Sequence, residues 1–279
     1  MGLIKFITVF DDEKQMVFSE TILKRYNISA YPSVFFSDNK PYYDGLNADS
    51  SVFSDMKKHH TVVGPDIPSE IFQREYVKSY NEGYFAVVVI CPHSKWFPYY
   101  DAAVTAANRL RRSVKYDFST FRISVIDSKS FAAGVMLHAL SMAHDHEVNH
   151  FSSELVVEFG RKNAIKNDTY ILTQTPNAFC DSVGKLIAFR SFGCQFKKFD
   201  MISTLDSVKF DLFADTVCRQ LKKTNSNYAV SIGINCEFAG NVIGRIIKRS
   251  GVNPICVMQY GIPSTNVLGD SSICVNFFK

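Results

Sequence analysis

The chain has 279 residues, 46% of them hydrophobic and 14% aromatic, enough to bury two cores of ordinary size. Its 31 basic and 27 acidic residues leave a formal charge of +4 with no dense basic block, which argues against nucleic acid as a partner. No apolar run approaches the roughly 20 residues of a spanning helix, so no stable membrane insertion is expected, and the odd number of widely spaced cysteines, 7 in all, fits a reduced cytoplasmic protein better than a disulfide framework.

The first apolar run, residues 4–10, is interrupted by Lys5 and closed by Asp11 and Asp12. It lacks a small-residue cleavage site and reads as a first strand rather than a signal peptide. Further compact apolar runs at 33–36, 85–90 and 121–126 read as strands covered on both faces. Helical patterns separate most of them. One starts near Pro68, carries Ile71, Phe72, Tyr76 and Tyr80 on one side and stops at Gly83. Another places Ala103, Ala106, Ala107 and Leu110 at helical spacing. Strand and helix in alternation predict a parallel-sheet α/β domain.

The second half differs in character. "YAVSIGIN" puts Tyr228, Val230, Ile232 and Ile234 on one face and Ala229, Ser231 and Gly233 on the other, and Ile273, Val275 and Phe277 repeat the alternation. That pattern predicts a sheet with one face on the core and one freer. Helices bearing Leu205, Val208, Leu212 and Phe213, and then Val242, Ile243, Ile246 and Ile247 before Gly251, lie between the strands. The polar stretch "HDHEVNHFSS" reads as a turn between domains at 1–150 and 151–279, closing on a helix-start signal at Ser152 or Ser153.

Ligands of open parallel sheets gather outside the carboxyl ends of the strands. Three such ends carry polar residues: Asp11-Asp12, His93-Ser94 and Asp127-Ser128. Asp127 and Ser128 read as caps of the following helix. Ser94 lacks the Gly-x-Ser-x-Gly setting of a hydrolase nucleophile, being followed by Lys95 and Trp96. His144, His146 and His150 have no carboxylate or cysteine partner motif, so they read as part of the polar turn and not as a metal site. Neither glycine-rich phosphate fingerprint is present, and no cofactor is expected.

The order of segments resembles the DegV family. "ITVFDDEKQMVFSETILKRYNISAYPSVFFSDNKPYYDG" is similar to the family's opening strand, helix, second strand and Asp-Gly pair, "VIDSKSFAAG" to its second strand-end element, and "VLGDSSICVNFF" to its closing strand. The resemblance implies a parallel-sheet α/β domain followed by an α+β domain with a mixed, largely antiparallel sheet. It further implies a non-enzymatic binding protein that holds a long-chain fatty acid in a cavity between the domains, with a fatty acid kinase subunit as the partner to which the acid is presented. Family members grip the carboxylate with a hydroxyl-rich loop, a serine after a strand and a C-terminal His-Thr. Carried over, the ligand-binding positions are Thr61, His93 in the serine's place with Ser94 beside it, and Val267 and Leu268 where His-Thr would stand. On this reading, fatty-acid affinity depends on protonation of His93 near pH 6.5. Two alternatives stand beside it. One is a degenerate DegV-fold interaction protein without lipid, suggested by Val267, Leu268 and the bulky Trp96, Phe97, Tyr99 and Tyr100. The other is a hydrolase using Ser94 and His93, for which no oxyanion hole is legible.

Overall fold

The computed structural model describes residues 2–9, 20–60, 62–113, 120–166, 168–173, 186–192, 195–202 and 207–278. In chain order the first half comprises β1 (Ile4–Val9), α1 (Glu20–Arg25), β2 (Ile28–Tyr31), β3 (Val34–Ser37), β4 (Lys40–Tyr43), α2 (Ser50–His59), β5 (Val62–Asp66), α3 (Ser69–Asn81), β6 (Ala86–Cys91), α4 (Tyr99–Arg111), β7 (Arg122–Asp127), α5 (Ala133–Glu147) and α6 (Ser153–Lys166). The second half comprises β8 (Asp168–Thr173), β9 (Leu186–Phe192), β10 (Gln195–Ile202), α7 (Ser207–Thr224), β11 (Asn227–Ile232), α8 (Ala239–Ser250), β12 (Val257–Gln259), α9 (Ile262–Leu268) and β13 (Ser272–Phe278).

A four-stranded parallel sheet of order β2-β1-β6-β7 organises the first half. β6 is buried at every position because both faces of the sheet are covered. Val87 and Val89 face Phe72 and Tyr76 of α3 and Ala103, Ala106 and Leu110 of α4. Ala86, Val88 and Ile90 face Val135, Ala139 and Met142 of α5 and Val156 and Val157 of α6. By packing, α6 therefore belongs with the parallel sheet, although its first residue lies beyond position 150.

Three sequence expectations are corrected. Residues 33–36 do not supply a strand of the parallel sheet: Val34–Ser37 forms an antiparallel unit of order β4-β3-β5, and the parallel strand is Ile28–Tyr31. The cause is the Asp38-Asn39 loop, where both residues take positive φ (51° and 63°), as a two-residue hairpin requires. The histidine stretch is not a turn throughout. α5 continues to Glu147, so His144 and His146 are helical, and His146 is buried with Nδ1 2.9 Å from the Phe151 carbonyl. Finally, the second sheet, of order β10-β9-β8-β13-β11-β12, has no free face along β11 and β13. It is antiparallel except where β11 pairs with β12. Tyr228, Val230, Ile273, Val275 and Phe277 pack under α7 and α8, while Ala229 and Cys274 on the opposite face join the core of the first half. Small side chains on that face let the two halves approach closely.

Candidate functional site

The loops leaving β6 and β7 are zipped together by backbone hydrogen bonds. The Ser128 N–H donates to the Cys91 carbonyl at 2.9 Å, and the His93 N–H donates to the Ser130 carbonyl at 3.1 Å. Asp127 does not cap α5, whose N-cap is Ala132. Its carboxylate organises the loops instead: Oδ2 accepts from the Ser94 N–H at 3.2 Å, Oδ1 from the Lys129 N–H at 3.0 Å, and Lys129 Nζ pairs with the same group. The chain turns into α5 through Ala132 at φ 38°, a conformation costly for a residue with a side chain.

His93 is buried, 1% exposed, with its ring 6.1 Å from that of Phe131. Its Nδ1 accepts from the Lys95 N–H at 3.2 Å, which places the proton of the neutral ring on Nε2. Burial lowers its pKa to about 4; Asp127 opposes that shift, and Lys129 and Lys95 add to it. His93 is therefore neutral across physiological pH, which corrects the expectation of a switch near pH 6.5.

The second half closes over the same end of α5. Ser231 Oγ accepts from the Ala133 N–H at 3.2 Å, the Tyr260 hydroxyl donates to the Gly269 carbonyl at 2.5 Å, and Thr173 Oγ1 donates to the Leu268 carbonyl at 2.8 Å. Val267 and Leu268 are buried in the last turn of α9, in one apolar cluster with Phe97, Tyr99 and Phe131. Ser94 is half-buried at the neighbouring turn. Thr61, like Asp11 and Asp12, lies outside the described residues. The structure thus brings His93 and the apolar pair to one aromatic cluster around Phe131.

A cleft opens farther along α5. It has a volume of about 770 Å³ and lies between α1, α5 and α6 on one side and the ends of β11 and β13 on the other. Ile22, Leu137, Leu140 and Phe278 give it apolar walls; Arg25 and His144 stand exposed at its rim. None of the described candidates His93, Ser94, Val267 and Leu268 lines it. Between cleft and strand-end loops, α5 touches the second sheet at Gly134, where a Cβ would lie 2.7 Å from both Asn276 Oδ1 and Ser130 Oγ. The residues that line the cleft are not legible in the sequence because they come from stretches far apart in the chain. The one local signal was the stripe Leu137, Leu140, Ser141 and His144 on a single face of α5.

Among the described residues no group of His, Cys, Asp and Glu is placed to hold a metal ion, and no helix is long and apolar enough to cross a membrane. The five described cysteines are free.

No sequence-family model and no curated protein matches the chain. Solved structures do. A stearic-acid-binding protein from Eubacterium ventriosum superposes with a TM-score of 0.81 at 14% identity, covering 99% of this chain and 98% of that one. A fatty-acid-binding DegV family protein from Streptococcus agalactiae gives 0.80 at 11% identity over 100% and 99% of the two chains. The DegV fatty-acid-binding protein of Bacillus subtilis gives 0.75 at 16% identity over 100% of both. The chain has the DegV fold over its whole length.

Proposed function

We propose that this chain is a carrier of the DegV type that binds a long-chain fatty acid and holds the acyl chain between its two halves. The observation that carries the reading is the cleft beside α5: an apolar-walled space of about 770 Å³ between the halves, in a fold whose solved neighbours are described as fatty-acid-binding proteins. Cavities of this size suit a single small ligand. Each methylene buried contributes about 0.8 kcal/mol, so a long tail binds tightly even with few polar contacts at its head. In this reading the protein transforms nothing; it shields the chain in the cytoplasm and offers the acid to a kinase subunit that acts on the carboxyl group. The resemblance assigns that carboxyl group to His93, Ser94 and Thr61, with Val267 and Leu268 on the apolar side.

A second reading is an interaction protein that has lost its lipid. It is favoured by the packing of Val267, Leu268, Phe97 and Tyr99 into one cluster at the strand-end loops. Displacement of a fluorescent fatty acid by oleate separates the two. The expected result is saturable displacement that Leu140→Trp weakens, because the indole narrows the cleft from a half-buried position. Absence of displacement from the folded wild type leaves the interaction reading in place.

A further inference from the structure

Polar side chains interrupt the apolar lining of the cleft along α5 and α6. His138 stands in that wall, one helical turn beyond Gly134 on the same side of α5. It is 3% exposed, and burial lowers its pKa to about 4, so the ring is neutral at physiological pH, with one N–H donor and one acceptor nitrogen. The Gly160 carbonyl lies near enough to oppose that shift, but neither ring nitrogen completes a hydrogen bond or reaches solvent. Ser141, one turn further along α5, and Asn163, one turn beyond Gly160 on α6, line the same cleft. Their side chains make no hydrogen bond to a described residue. A buried polar group without a partner is costly, and native interiors seldom leave one so.

Resting on the fatty-acid reading above, we propose that this polar corner, with His138 at its centre, recognises an oxygen on the acyl chain, so that the preferred ligand is a hydroxylated long-chain fatty acid. The carboxyl group stays at the strand-end loops, where the resemblance assigns it. A plain chain satisfies Ile22, Leu137, Leu140 and Phe278 but leaves His138 unpaired. A hydroxyl both donates and accepts, as the neutral imidazole does, and the serine hydroxyl and asparagine amide beside it have the same double character. A carboxylate, which only accepts, matches this neutral set less well. The bond from Cβ to an imidazole ring has broad, roughly two-fold torsional wells, so the ring can turn a nitrogen from the wall into the cleft.

The test compares ricinoleate, which is oleate with one hydroxyl added along its tail, with oleate itself on the full-length protein. The expected result is that wild type binds ricinoleate about threefold to tenfold tighter than oleate, the range of one neutral hydrogen bond. His138→Leu should abolish that preference by weakening ricinoleate, while oleate binds at least as well as to wild type. His138→Gln, which keeps a donor and an acceptor, should retain part of it. A purely structural role for His138 would move both ligands together. Retained oleate binding shows that a variant still has a formed cleft; where His138→Leu binds neither ligand, His138→Phe, with a ring of similar shape and no polar atom, takes its place. The proposal is overturned if wild type binds the two acids equally or prefers oleate, or if the preference for ricinoleate survives in His138→Leu or His138→Phe. Failure of both acids to bind wild type defeats the fatty-acid reading itself, a result distinct from the loss of discrimination between them.

Discussion

Among the described residues, two of the buried histidines, His93 and His138, bear on how the folded protein meets acid. Burial lowers His93 and His138 to about 4 each, with Asp127 opposing the shift at His93 and the Gly160 carbonyl opposing it at His138. In the unfolded chain a histidine titrates near 6.5. Between those values the unfolded state takes up protons that the folded state refuses. Stability therefore falls as pH drops from about 6.5 toward 4, and is unaffected by these groups above that window. The loss spread over that window is on the order of a few kcal/mol. His138→Leu should flatten the stability profile between pH 7 and 4.5 relative to wild type, as read by urea denaturation at several pH values. An equally steep profile in the variant would show that His138 already titrates near its ordinary value. For His93 the corresponding observation is an NMR midpoint well below 5. From the same burial, fatty-acid affinity should show no titration of His93 across neutral pH.

At the scale of elements, two glycines mark where α5 meets its neighbours, and they differ in what an added methyl would strike. At Gly134 it would lie 2.7 Å from Asn276 Oδ1 and 2.8 Å from Ser130 Cβ, atoms held by the sheet and by the turn into α5. At Gly160 in α6 it would meet the Sδ and Cε of Met142 at 2.5 Å, the far end of a side chain that readily changes rotamer. Gly134→Ala should therefore destabilise by about 1–3 kcal/mol, the usual cost of overpacking. Gly160→Ala should cost less, because the tip of Met142 can move aside. Denaturant midpoints of the two variants check the order. Much of this level was legible in the sequence: the apolar run of β6, Pro68 and Gly83 bracketing α3, and Gly251 ending α8 at φ 71° all appear where the patterns put them. The edge strand Ile28–Tyr31 was not, since four residues flanking an asparagine turn carry little periodicity beside the stronger apolar run at 33–36. The buried inner face of β11 was missed because Ala229 and Ser231 look like a solvent face until the partner surface is known.

At the scale of the whole molecule, segment order carried more information than any one motif. The DegV resemblance rested on strand-end elements in register, and neighbours with 11–16% identity match the fold end to end. Of the carried-over site positions, His93, Val267 and Leu268 are buried among apolar neighbours at the strand-end loops. The cleft lies elsewhere, assembled from α1, α5, α6, β11 and β13. A ligand that binds only the folded state adds stability in proportion to the logarithm of its concentration over Kd, about 2.7 kcal/mol at a hundredfold excess. Oleate should therefore raise the thermal midpoint of wild type more than that of Leu140→Trp. The most direct measurement is native mass spectrometry of the full chain as it leaves its expression host, repeated after extraction with organic solvent and again after adding oleate. The expected result is one fatty-acid mass on the protein, lost on extraction and restored by oleate. A bare protein mass under all three conditions would contradict fatty-acid binding and leave a DegV fold that holds no lipid.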